Sequence, residues 1–148
     1  MKKLIYVFLI NIFITNYSSA LIEVDITRGN LDPLPIAVSP LHVDIKSEKY
    51  KDLNVKELGE KISEIIEKNF KNTGLFNPLK KDAFVQKPDI AHLKPRFEDW
   101  RLIKAQALVT GKLLISGDKL KVEFRLWDLA AAQEMTALAF TTTPSNWR

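Results

Sequence analysis

Residues 54–79, NVKELGEKISEIIEKNFKNTGLFNPL, decide the fold. Asn54 with Glu57 three positions later forms a capping box, and apolar side chains at Val55, Leu58, Ile62, Ile65, Ile66 and Phe70 recur with the period of a helix that buries one stripe. Asn72-Thr73-Gly74 supplies the stop, because glycine enters the left-handed conformation that closes a helix without a Cβ penalty. The pattern predicts a helix over 55–71. Directly after it, Leu75-Phe76-Asn77-Pro78-Leu79 is a short apolar segment that reads as a strand. Upstream, Leu34-Pro35-Ile36-Ala37-Val38 lies between Pro33 and Pro40 and reads as a buried strand with proline at its ends. Strand, helix and strand in so short a span imply a right-handed parallel crossover.

Between the first strand and the helix, Leu41 to Lys51 is polar and charged, and an irregular course is expected. From Lys80 to Pro95 two prolines and no clear period predict loop, with one helical turn near Asp82. Phe97, Trp100 and Ile103 are spaced for one face of a short helix. The strongest β pattern follows. Ala107 to Ile115 is a strand run and Ser116-Gly117-Asp118 a turn; beyond it Leu120, Val122, Phe124 and Leu126 alternate with Lys119, Lys121, Glu123 and Arg125. Trp127 to Gln133 makes a second reversal, and Met135 to Thr142 returns as a further strand. The expected architecture is α/β: a mixed sheet of about five strands packed against two or three helices, closed by a C-terminal antiparallel meander.

The N-terminus has the three parts of a secretory signal: Lys2 and Lys3, an apolar run from Leu4 to Ile14 broken only by Asn11, and small residues at Ser18 and Ala20. About 11 apolar residues are too few for the roughly 20 that cross a bilayer, so cleavage before Leu21 is expected rather than an anchor. Loss of Lys2 and Lys3 lowers the formal charge from +4 to +2, and nucleic acid is not an implied partner. No cysteine is present, which excludes disulfides, thiolate metal sites and thiol nucleophiles. No later stretch is apolar enough to span a membrane, and export therefore points to the periplasm. The organisation read from the chain is a signal peptide over 1–20, a flexible partner-binding segment over 21–33 and a single α/β domain over 34–148.

Catalytic signatures are not found. His42 and His92 are the only histidines, far apart in sequence, and read as surface residues without the companions a metal needs. Ser39 and Ser116 lack a G-x-S-x-G context and read as turn serines. No glycine-rich phosphate loop exists. Glu98 and Asp99 beside Arg96 and Arg101 read as a solvated helix face, Trp100 and Trp127 as core aromatics, and the hairpin lysines as an outward face of mixed charge. No enzyme, cofactor or metal is expected. One segment offers a mechanism that needs no pocket. Ile22, Val24 and Ile26 alternate with Glu23, Asp25 and Thr27, and Arg28-Gly29-Asn30 interrupts the pattern as a hinge centred on Gly29 and Asn30. Such a ribbon can add to the edge of a partner sheet, or pair within its own.

The order of these features resembles the amino-terminal domain family of TolB, a component of the Tol–Pal system of Gram-negative envelopes. The resemblance rests on Ile26-Thr27-Arg28-Gly29 leading into Leu34 to Pro40, on Asn72 to Leu79 after the helix, and on Trp100, Ala107 to Gly111 and Phe124 to Asp128. It implies a periplasmic, non-enzymatic adaptor acting in outer-membrane integrity and cell division. In the family the mature N-terminal segment binds the inner-membrane-linked protein TolA, and its order or disorder alters binding of the lipoprotein Pal to a following six-bladed propeller. Carried over, the partner-binding positions are Leu21, Ile22, Val24, Ile26, Arg28 and Asp32, on the hinge Gly29-Asn30. The sequence stops at Arg148, before the propeller to which the family assigns Pal, so a truncated adaptor with a TolA-like partner and no assigned Pal contact is expected. The competing expectations are a ligand-binding or enzymatic module with a cleft near Ser39 and Asn77, at the carboxyl ends of the parallel strands, or a non-functional fragment.

Overall fold

The computed structural model describes residues 32–46, 48–50 and 54–146. Its elements are β1 (Leu34–Val38), β2 (His42–Ile45), a 3-10 turn (Glu48–Tyr50), α1 (Val55–Thr73), β3 (Phe76–Pro78), a second 3-10 turn (Lys81–Ala83), α2 (Pro88–Ala91), α3 (Phe97–Leu102), β4 (Ala107–Ser116), β5 (Lys119–Asp128) and β6 (Gln133–Thr142). The sheet order is β3-β1-β4-β5-β6, with β2 also paired to β4. β1 is parallel to β3 and to β4, and β4, β5 and β6 form an antiparallel meander. The predicted parallel pairing around the helix and the predicted meander are thus both present in one mixed sheet.

The helix forms where its signals stand. The Asn54 side chain accepts the Glu57 N–H at 3.1 Å, and Gly74, at φ 72°, closes the C-terminus with its N–H on Lys71 O at 3.1 Å. Leu58 and Ile62 are buried on the sheet with Ile66 and Phe70 beside them, whereas Ile65 falls on the flank of the stripe and is exposed. Leu113, Ile115, Leu120, Val122, Ile36, Val38 and Val109 complete this core. The opposite face of the sheet is covered at one end only, where Trp100, Phe84, Phe97 and Ile103 pack over Ala37, Leu108, Trp127 and Leu129.

One departure from expectation organises the helix-side core. Leu41 to Lys51 does not run irregularly throughout, because His42–Ile45 is a sixth strand, parallel to the second half of β4. Four residues carry a polar-looking sequence whose strand character comes from its partner, with Val43 and Ile45 turned to the helix side. Val38 lies opposite Val109 and His42 opposite Lys112, so β1 and β2 are one strand with an extra residue at Ser39-Pro40-Leu41. Pro40 has no N–H for a ladder. Leu41 instead donates its N–H to Gly59 O of α1 at 3.2 Å, and its side chain is buried. The fit requires glycine on both sides. A Cβ on Gly59 would stand 2.3 Å from Leu41 O, and one on Gly111 would stand 2.6 Å from Glu123 O and 3.1 Å from the Leu41 side chain.

Gly59→Ala tests this contact, because the two effects have opposite signs. Helix propensity alone favours alanine by about 1 kcal/mol, but the blocked approach to Leu41 costs about 1–3 kcal/mol of overpacking strain and wins only if the backbones touch. Net destabilisation in urea unfolding is the expected outcome, and a stabilised variant would contradict the contact.

Candidate partner-binding surface

The predicted binding positions Leu21, Ile22, Val24, Ile26 and Arg28, and the hinge Gly29-Asn30, lie outside the described residues. Asp32 is described and exposed, next to an exposed Pro33. What the structure defines is the mount that carries them. β1 is an interior strand, held by Leu34 N–H on Leu75 O at 2.9 Å, Gln106 N–H on Pro35 O at 2.9 Å and Leu79 N–H on Ile36 O at 2.9 Å. Pro33 offers no N–H with which to lengthen β1 upstream.

The alternative cleft does not assemble as read. Ser39 is buried, with its hydroxyl donated to Pro40 O at 3.1 Å. Asn77 is exposed and lines a polar cavity of about 400 Å³ with Glu64, Glu67, Lys68, Lys71 and Lys81, and Ser39 is not among the lining residues. Lys81 is already committed there. Its ammonium donates to Ser63 Oγ at 2.8 Å and lies 3.3 Å from Glu67. Burial pushes the Glu67 carboxyl above the usual range, and Lys81 opposes that rise.

The charged residues near α3 are paired as a helix face. Arg96 meets Asp99 at 2.6 Å and Arg101 meets Glu98 at 2.5 Å, and Arg101 also donates to Leu129 O at 2.6 Å. Trp100 and Trp127 are core residues, with Trp127 Nε1 donating to Thr110 Oγ1 at 2.9 Å and Trp100 Nε1 to Gln86 Oε1 at 2.9 Å. On the hairpin, Lys121 pairs with Glu123 at 2.6 Å. The histidine expectation needs correction, since His42 and His92 are companions whose rings stack at 4.3 Å, and His92 is buried. Among the described residues no group of three or more His, Cys, Asp or Glu is placed to hold a metal ion. None of the described helices is long and apolar enough to cross a membrane.

Exposed apolar surface concentrates in two places that sequence reading passed over. β6 presents Met135, Leu138 and Phe140, and beside Leu138 a groove of about 270 Å³ is walled by Ile66, Phe70, Phe124 and Leu126. The segment covering the other face turns Val85, Ile90, Leu93 and Leu102 outward. The β6 signal was legible in principle, since Met135 to Thr142 carries no charge to mark a solvent side.

Residues 22–135 match the TolB amino-terminal domain. The Tol-Pal system protein TolB of Pelagibacter ubique is 62% identical over 145 residues, which cover 97% of this chain and 32% of that protein. The chain thus spans about a third of the length of this curated relative. Among solved structures, the LpoB C-terminal domain of Salmonella enterica superposes with a TM-score of 0.57 at 10% identity, covering 78% of this chain and 86% of that one. TolB of Acinetobacter baumannii gives 0.56 at 18% identity, covering 77% of this chain and 24% of that one. At such identities the two structures speak for the fold alone.

Replacing the Lys81 ammonium tests the polar cavity. Lys81→Met leaves the half-buried Glu67 carboxylate without its cation, and a loss of about 1–3 kcal/mol at neutral pH is expected from unfolding curves. A carboxyl whose folded pKa is raised destabilises the fold above that pKa and ceases to do so as pH falls towards its ordinary 4.5. The deficit of the variant should therefore shrink in acid, and a pH-independent deficit would place the effect elsewhere.

Proposed function

The chain belongs to the TolB amino-terminal domain family, and from this we propose that it is a non-enzymatic periplasmic adaptor of the Tol–Pal system that hands an extended N-terminal segment to a partner sheet. The partner proposed is a TolA-like inner-membrane protein, and the roles served are outer-membrane integrity and cell division. The observation that carries the reading is the conjunction of family membership over residues 22–135 with the alternating Ile22, Val24 and Ile26 ahead of the hinge Gly29-Asn30.

In the proposed mechanism the backbone of residues 21–27 completes a ladder with the partner's edge strand, and the three apolar side chains fill hollows on one face. Main-chain hydrogen bonds supply affinity and the alternate side chains supply register. Leu21, Arg28 and Asp32 frame the contact at its two ends. The mount supports this reading in two ways. Asp32 and Pro33 are exposed, and β1 behind them is bonded on both sides, so pulling on the segment loads the centre of the sheet rather than an edge. Lys81, Arg96 and Arg101 are each engaged in ion pairs, with Glu67, Asp99 and Glu98.

Changing Ile22, Val24 and Ile26 together to Ser is expected to abolish binding to a TolA C-terminal domain in calorimetry, with the circular dichroism of the body unchanged. Undiminished affinity in that variant would remove the strand-addition mechanism.

A further inference from the structure

His42 and His92 stand about fifty residues apart in the chain, and the topology sets them ring against ring. β2 delivers His42 on the side of the sheet away from α1, and His92 follows the last residue of α2. Their rings are 4.3 Å apart between centroids and within 4° of parallel. His92 Nδ1 lies 3.0 Å from Pro88 O, which can only accept, so that nitrogen carries a hydrogen and the far nitrogen is where a second proton would go. The main-chain oxygen of His92 in turn accepts Arg125 Nη1 at 2.8 Å, which ties the same corner to β5.

We propose that the histidine pair is a pH-sensitive latch, which holds the α2 corner on the polar face of the sheet at neutral pH and releases it in acid.

Charging both rings would put two cations face to face in a partly buried site. The groups around them are of mixed sign and largely paired with one another. β4 contributes Lys112, 3.7 Å from Asp44 of β2; β5 contributes Arg125, 3.4 Å from Glu134 of β6; and α2 contributes Asp89. Burial, then His92, then Lys112 hold the His42 pKa below its ordinary 6.5, against the smaller pull of Asp44 and Asp89. The docked corner therefore favours a neutral ring. Its stabilisation is complete above 6.5 and is lost as pH falls through the lower docked value. The rest of the cover is fastened by other means. Gln86 accepts from both Trp100 Nε1 and Arg96 N–H, so release should stop short of α3.

Backbone hydrogen exchange in the full chain reads the latch directly. The amides of Ile90, Ala91, His92 and Leu93 are bonded within the α2 corner. Between about pH 7.5 and about pH 5.5, after correction for intrinsic rates, their protection should fall severalfold, because the undocked ring takes up a proton more readily than the docked one. The amides of α1 should hold theirs. In His42→Phe, where one titrating ring is gone, the acid-induced loss should disappear. Should that variant fail to fold, ring-proton titrations of the unmodified protein decide the matter, with interdependent curves and one ring titrating below 6.5 as the expected result. Protection independent of pH, loss in His42→Phe equal to that of the unmodified chain, or two independent curves at the ordinary value would each overturn the latch.

Discussion

A backbone-to-backbone contact at Leu41 sets the position of the helix on the sheet. Most helix–sheet packing is mediated by side chains, which hold the two backbones apart by their own volume. Here the Leu41 carbonyl occupies the place where a Cβ on Gly59 would be, and the Leu41 side chain lies against the bare Gly111. The strand has to break for this to happen: Ser39 still donates its N–H to Val109 O of β4 at 3.0 Å, but the N–H of Leu41, two residues on, goes to Gly59 O of α1. Once Leu41 is lodged, Leu58 and Ile62 fall on Leu113, Ile115, Leu120 and Val122, and Ile66 and Phe70 reach the strip beside β1.

The legible parts of the fold were those with a local signature. The cap residues Asn54 and Gly74, the alternation from Leu120 to Leu126 and the proline-bounded run from Leu34 to Val38 each state their structure within a few residues, and each element stands where it was read. The features not legible depend on partners distant in the chain. His42–Ile45 is too short for a period and becomes a strand only because β4 extends past β1. Pro88–Ala91 is a single helical turn inside a proline-rich stretch, where proline at the first helical position marks a start as readily as a break. The stacking of His42 on His92 needs both of those elements in place, so no inspection of either local sequence could have found it. The candidate binding segment is read from alternation and family resemblance, and apart from Asp32 and Pro33 it lies outside the described residues.

The two faces of the sheet are finished differently. On the α1 side a single helix covers β1, β4 and part of β5, and the apolar cover ends before β6, where Leu138 and Phe140 remain exposed. A sheet five strands across is wider than one helix of about 10 Å, so a strip of this kind follows from the dimensions of the parts. On the far side the cover comes from irregular chain fastened by Trp100 and Gln86, and the remainder is a lattice of charged pairs. The helix side is consequently a continuous packing surface, whereas the far side combines a small apolar core around Trp100 and Trp127 with a polar remainder.

An adaptor that donates a strand must solve a mechanical problem. The donated segment has to be free to pair elsewhere, yet the force or binding energy it collects must reach a folded body. A segment continuing from an edge strand would peel that edge when loaded, one ladder bond at a time. β1 is instead flanked by β3 and β4, and bonds on both sides must yield together before it can leave. Pro33 sits just ahead of β1 and offers no N–H donor with which the ladder could be extended upstream.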